Sequence, residues 1–209
     1  MYALTPLLAY EVGVHLGDGN LTFRKDWNLY RITYAGHSKD DFELYGKIMP
    51  KIIEKLYQVK PRIYFPKNER TILLVVNSKK VCKFKMELGL PSGNKNQIKK
   101  FPKQLKEKYP TNLLRGIADA DFTFYLRKKR NTFIPKIIGS FSNSYFIKEI
   151  SEMLSILGIG HTTRIQERNK YTEYRIIVEG KTRVNEWLEI ISFNNPKHLK
   201  KVKRWKEFR

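Results

Sequence analysis

The sequence predicts an α+β protein assembled from two copies of one half. Three observations point to it: a nine-residue segment that occurs twice, a shared order of helices and strands after each occurrence, and an even division of charge between the halves. The segments are Glu11-Val-Gly-Val-His-Leu-Gly-Asp18-Gly19 and Leu114-Arg-Gly-Ile-Ala-Asp-Ala-Asp121-Phe122. In both, a glycine (Gly13, Gly116) precedes an aspartate (Asp18, Asp121) by five residues, and the copies lie 103 positions apart.

The elements follow in register. Thr5 before Pro6 is a helix start, so the first segment closes a helix from about Pro6 to Gly17; Thr111 or Asn112 starts its counterpart. Each motif leads into a hairpin, Leu21–Arg24 with Leu29–Tyr34 and Thr123–Arg127 with Thr132–Ile138. A helix comes next, with apolar residues Phe42, Tyr45, Ile48, Ile52 and Leu56 behind a Ser38/Asp41 start. In the second half it has Phe146, Ile150, Met153 and Leu157, opened near Ser142 to Ser144 and closed by Gly158. Further strand pairs fall near Arg62–Phe65 with Ile72–Val76 and Thr162–Gln166 with Tyr174–Val178. Final helices run from about Ser78 to Leu88 and Thr182 to Ile191. Between the copies, Pro91 to Asn112 is rich in proline, glycine and lysine and reads as a solvated connector. The expected organisation is a first repeat at 1–100, a linker at 101–110 and a second repeat at 111–209.

Charge indicates the partner. The 209 residues hold 41 Lys and Arg against 20 Asp and Glu, a net +21. Residues 1–104 carry 19 basic and 9 acidic residues, and residues 105–209 carry 22 and 11, so the halves are +10 and +11. That balance suggests a polyanion lying across both halves, nucleic acid being the commonest. A sticky or ribosome-associated basic protein shares the charge but not the repeated aspartate. With no apolar run long enough to span a bilayer and no signal segment, no membrane partner and an intracellular location, cytoplasmic or organellar and not secreted, are expected. The single cysteine, Cys82, excludes an internal disulfide and a cysteine-based zinc cluster.

Small residues recur every fourth position along the motif helices: Ala9, Gly13 and Gly17 in one, Asn112, Gly116 and Ala120 in the other. Glycine inside a helix costs about 1 kcal/mol relative to alanine, and close helix docking supplies the compensation. Docking brings the C-terminal ends together, each with an aspartate. A carboxylate there opposes the helix dipole by roughly 0.3–1 kcal/mol, and the two repel each other. Divalent cations would resolve the conflict: Mg²⁺ takes one or two carboxylates plus phosphate and water, and paired sites suit phosphodiester hydrolysis. One such aspartate alone reads first as a cap or turn residue; its repetition in a basic chain favours metal. Asp119, opposite Leu16, reads as structural or supporting.

These segments, their placement and the chain length resemble the LAGLIDADG homing endonucleases in their monomeric two-repeat form. Segments around Leu88–Lys95 and Asn194–Lys200 also look like the family's repeat-closing sequence. The resemblance implies two pseudo-symmetric αββαββα units, with motif helices at the central interface and antiparallel sheets forming a DNA-binding saddle. It implies a site-specific double-strand endonuclease acting on a long asymmetric duplex without an obligate protein partner, of the kind encoded in introns or inteins. Asp18 and Asp121, with the carbonyls of Gly17 and Ala120, would hold Mg²⁺, or Mn²⁺ or Ca²⁺ in the same sites. The family's basic residue near each scissile phosphate points to Lys95, 77 positions after Asp18, and Lys200, 79 after Asp121. Copy one departs from the consensus at Leu16 and copy two at Phe122. Relatives on this fold also act as intron RNA maturases or as DNA-binding regulators that do not cut. Retention of both acids favours the enzyme.

Strand alternation assigns the DNA-facing side. Leu21, Phe23, Tyr30, Ile32 and Tyr34 point to the core, leaving Thr22, Arg24, Arg31 and Thr33 outward; Thr123, Tyr125, Arg127 and Lys136 are the second set. Arg62, Tyr64, Arg164, Gln166 and Arg175 follow on the later strands. Arginine reads guanine while lysine holds phosphate. The basic C-terminus from Lys197 to Arg209, seven cations and one acid, reads as a phosphate contact, with Lys197 among the DNA-binding residues, rather than as only a solvated tail.

Overall fold

The computed structural model describes residues 2–67, 69–130, 132–168 and 171–207. In the first half, α1 (Pro6–Asp18) runs directly into β1 (Gly19–Arg24) and β2 (Leu29–His37). A π-type turn, Glu43–Ile48, opens α2 (Met49–Tyr57), and β3 (Arg62–Tyr64), β4 (Thr71–Asn77) and α3 (Lys79–Glu87) complete the unit. A 3-10 turn (Lys95–Gln97) and α4 (Lys103–Lys108) lead on to α5 (Pro110–Asp121), β5 (Phe122–Lys129), β6 (Thr132–Phe141) and α6 (Ser144–Ile156). β7 (Thr162–Arg168), β8 (Tyr171–Glu179), α7 (Lys181–Ile190) and α8 (Pro196–Glu207) follow.

The two sheets share one topology, β1-β2-β4-β3 and β5-β6-β8-β7, with every neighbouring pair antiparallel. The strand leaving each motif helix is an edge strand, so both sheets hang from the central helices. Alternation divides the faces as the sequence predicts: Leu21, Ile32 and Tyr34 are buried against the helices, while Arg24 and Arg31 are exposed. Phe122, Phe124 and Ile137 are their buried counterparts. Local signals also act as read. Ser78 accepts from Val81 N–H at 3.3 Å to cap α3, Asn143 caps α6, and Gly158 leaves α6 at φ +70°.

Two expectations are corrected, and the form of the basic C-terminus is added to them. The helix placed after Ser38 begins later and buries Leu44, Tyr45, Met49, Ile53 and Tyr57, leaving Phe42 exposed. Pro50 has no N–H, and its ring would press on the carbonyl four residues back. The chain widens there instead, Met49 N–H reaching Leu44 O, which turns the later stripe by one residue. Ser38 and Asp41 form no helix cap. The connector is not merely solvated: Ile98, Phe101 and Leu105 are buried, each burial contributing roughly 1.5–3 kcal/mol. Their spacing is helical but masked by six lysines. The basic C-terminus is likewise a helix, α8, with His198, Val202 and Trp205 buried; its last two positions, 208 and 209, lie outside the described residues. No helix among the described residues is long and apolar enough to cross a membrane.

Candidate active site

The site begins with two glycines. A Cβ at Gly13 would sit 2.2 Å from Leu113 O, and one at Gly116 would sit 2.1 Å from Tyr10 O, so α1 and α5 touch backbone to backbone. Thr5 caps α1 by accepting from Leu8 N–H at 3.1 Å, whereas α5 starts on Pro110, just before the expected Thr111 or Asn112. Farther along, a Cβ at Gly17 would meet Ala120 Cβ at 2.4 Å and Asp121 Oδ2 at 2.9 Å. The stripe of small residues therefore delivers the Asp121 carboxylate onto the end of the opposite helix. Gly19 and Phe122 share an extended backbone (φ −81° and −99°), so phenylalanine after the second motif introduces no strain. Its ring packs on Phe141 and Trp187.

The two carboxylates have unlike surroundings. Asp18 accepts a hydrogen bond from the Tyr45 hydroxyl at 2.5 Å. Burial raises its pKa to about 6; the Tyr45 bond lowers it, the Asp41 charge raises it, and Lys95 and Lys197 lower it. Asp121 receives no hydrogen bond among the described residues. Burial and then the charge of Asp18 raise its pKa to about 7, against the lowering effect of Lys95 and Lys197. The carboxylates thus oppose one another electrostatically. Among the described residues no three His, Cys, Asp or Glu side chains cluster as a cage. The available donors are two carboxylates and helix-end carbonyls, which fit an oxygen-seeking cation that completes its shell with phosphate and water.

Lys95 lies at this centre. Its ammonium donates to Leu16 O at 3.3 Å and to Gly17 O, so one carbonyl expected to face a metal is engaged by a lysine. Burial lowers its pKa, and the charges of Asp121 and then Asp18 raise it. With Asn96, Asp121, Ser140 and Asn143 it lines a hollow of about 190 Å³. Lys200 is not its counterpart. It is exposed on α8, and the side chain directed at the centre is Lys197, one turn earlier, whose ammonium is 2.6 Å from Asp41. Three residues along a helix advance the side chain by about 4.5 Å, so Lys197 reaches Asp41 while Lys200 lies farther along the wall of the same groove.

Several contributors escaped sequence reading. Asp41 accepts from Lys197, from Asn195 Nδ2 at 3.2 Å and from His37 N–H at 3.0 Å. Burial alone would raise its carboxyl; the Lys197 hydrogen bond and charge, with the His37 N–H, hold it below the ordinary range. Asp119 is the structural anchor expected, accepting from Tyr10 OH at 2.7 Å and from the N–H groups of Asn194 and Asn195, and burial raises it to about 6. It fixes the turn that presents Lys197. Beneath the first motif, Glu11 takes Lys85 at 2.8 Å through both oxygens, together with the Tyr57 and Tyr34 hydroxyls, all buried. The only sequence signal was a charge at a motif position facing the core.

On the outward faces, Thr22, Arg31 and Asn77 form one cross-strand row, with Arg31 donating to Asn77 at 3.2 Å; Thr33, Val75 and Arg62 form the next, and Tyr64 opposes Leu73. Arg24 stacks over Trp27 at 4.0 Å. On the second sheet Tyr125 opposes Lys136, Thr123 opposes Ile138, and Arg164 opposes Arg175. There the cations are already paired: Arg127 and Lys136 with Glu179 at 3.1 and 3.0 Å, and Arg175 with Glu173 at 2.9 Å. Gln166 lies opposite Glu173.

No family profile matches the chain. Over 153 residues it is 30% identical to a DNA polymerase of Thermococcus litoralis, covering 72% of this chain but 8% of that protein. Among solved structures, the homing endonuclease I-DmoI in complex with DNA and Mn superposes with a TM-score of 0.63 at 17% identity, over 91% of this chain and 98% of that one. Its complex with DNA and Ca gives 0.64 at 18% identity, over 95% and 97%. A K103A mutant of I-SmaMI gives 0.58 at 12% identity, over 94% and 87%. The architecture is therefore that of a two-repeat α+β saddle protein. More narrowly, this chain has the fold of the monomeric LAGLIDADG homing endonucleases.

Proposed function

We propose that the chain is a site-specific endonuclease that cuts both strands of duplex DNA with divalent metal, Mg²⁺ or Mn²⁺, at Asp18 and Asp121. One observation carries the reading: two half-buried carboxylates, raised in pKa and repelling each other, end the docked helices between two sheets of a chain with net charge +21. The solved neighbours of this fold crystallised with DNA and with Mn or Ca support it, as does the balance of charge across the repeats, residues 1–100 and 111–209. A match to a small part of a polymerase chain fits an inserted, mobile origin.

Asp18 and Asp121 would hold the cation with helix-end carbonyls such as that of Ala120. When bound, it polarises the scissile phosphate and lowers the pKa of attacking water. Lys95 and Lys197 stabilise negative charge developing on the phosphate, and Tyr45 holds the Asp18 carboxylate in one orientation. Arg24, Arg31 and Arg62 read base edges or phosphates on the first sheet, and Tyr125, Arg127, Lys136, Arg164, Gln166 and Arg175 on the second. Because the sets differ, the target is asymmetric. The protein acts inside the cell, without an obligate partner subunit.

The test is digestion of a plasmid pool with random inserts in Mg²⁺, followed by sequencing of the new ends. The expected result is double-strand cuts at one long sequence, abolished by chelation. Asp18→Asn or Asp121→Asn should slow cutting on the order of a thousandfold, the several kcal/mol of a metal's charge stabilisation at about 1.4 kcal/mol per decade. Undiminished cutting by Asp121→Asn would remove the assignment. Sequence-specific binding without cutting would favour a regulator, and preferential binding of intron RNA would favour a maturase.

A further inference from the structure

The C-terminal helix carries a charge pattern of which the proposed chemistry uses only Lys197. On α8, His198, Val202 and Trp205 are buried, Trp205 packing on Phe124 of β5 with ring centroids 5.8 Å apart. Lys197, Lys200, Lys201 and Arg204 fall at i, i+3, i+4 and i+7, a single helical stripe about 10 Å long. One end is fixed beside Asp18 by the Lys197 to Asp41 contact. The stripe lines a groove of about 610 Å³ that also takes in Thr123, and Lys201 and Arg204 continue into a hollow with Tyr125. Thr123 and Tyr125 lie on the outward face of β5. The cations therefore lead from the carboxylate centre to the face proposed to meet DNA.

The connector helix between the repeats is spent differently. On α4, Lys106 is bound to Glu149 at 2.9 Å and Glu152 at 2.8 Å, and Lys103 lies 3.8 Å from Glu107. Lys200, Lys201 and Arg204 form no ion pair among the described residues. Asp40, Asp41 and Glu43 border the same groove, but of the stripe only Lys197 is paired with one of them among the described residues. Cations left unpaired at helical spacing have the chemistry of a phosphate track, which gives affinity and register but no sequence information.

We infer that α8 is a phosphate clamp, binding the backbone of one strand of duplex DNA beside the Asp18 centre through Lys200, Lys201 and Arg204. The inference rests on the DNA-binding part of the reading above, not on cleavage. The probe is a blunt DNA duplex of arbitrary sequence in Ca²⁺, with the dissociation constant measured from about 50 to 200 mM salt. Replacing three phosphate contacts in K200Q/K201Q/R204Q should flatten the log–log salt slope by about 2 to 3 units, at roughly 0.9 per phosphate. K51Q/K55Q/K83Q removes the same charge from exposed positions behind the first sheet and should leave the slope unchanged. K200R/K201R/R204K should keep the full slope. Equal flattening by both neutral triples would mean a general field and overturn the clamp, as would flattening seen on an RNA duplex but not on DNA. Wild-type protein that bound DNA with the expected slope yet never cut would strike the nuclease reading and leave the clamp standing.

Discussion

The two halves share a backbone plan but differ in what they put beneath it. Glu11 and Lys85 form a buried ion pair in the first half, while the positions 103 residues later are Leu114 and Leu188. Above them, Asp18 is gripped by Tyr45 with Asp41 and Lys197 near, whereas Asp121 has no hydrogen-bond donor among the described residues and faces an open hollow. What is held equal is fixed by main-chain contact and strand pairing; side-chain chemistry has been free to diverge. Two centres of one geometry therefore have unequal electrostatics.

The largest test of that contrast is in the core. Lys85→Leu should lose about 3–5 kcal/mol in urea unfolding, because Glu11 is left charged and unpaired. Adding Glu11→Leu reproduces the second half and should recover most of the loss, less about 1–3 kcal/mol for the Tyr34 and Tyr57 hydroxyls deprived of their acceptor. Failure to recover would show that the halves are not interchangeable at this level. Gly116→Ala comes next, with about 3 kcal/mol expected since the added carbon would press on Tyr10 O. Both centres should weaken together because they share one interface.

Tyr45→Phe should be selective. It removes a hydrogen bond to a carboxylate worth about 1.5–3 kcal/mol, and nicking of one strand should slow by at least about tenfold while the other is little changed. Equal slowing would break the proposed inequality. The inequality also reaches the pH dependence of stability without metal. Asp121 has its folded pKa raised to about 7 from an ordinary 3.8, so the stability it contributes is fully present below about pH 4 and is lost as pH rises through 7. Thermal melts of the wild type minus Asp121→Asn should therefore show a difference that falls over that window.

Much of this was legible because the informative signals were local and repeated. Gly13, Gly116, Asp18 and Asp121 recur at fixed spacing, and alternation along β1 and β2 gave the faces. The pairing of Asp41 with Lys197 spans 156 positions, and no periodicity reports it. Nor does spacing separate Lys197 from Lys200; only the turn anchored by Asp119 selects between them. Pro50 signalled trouble in a helix, but whether it would end the helix or widen it depended on packing around Leu44 and Tyr45. The phenol of Tyr45 read as an apolar stripe member because its body is one; only its tip is chemical.

The crossing of the closing segments has a consequence for how such proteins are rebuilt. Lys95 leaves the first repeat to sit in the hollow of Asp121, and Lys197 leaves the second to pair with Asp41 beside Asp18. A chimera spliced between relatives at the midpoint of the chain would marry each acid to a foreign cation, so the exchangeable unit is a half together with its partner's tail.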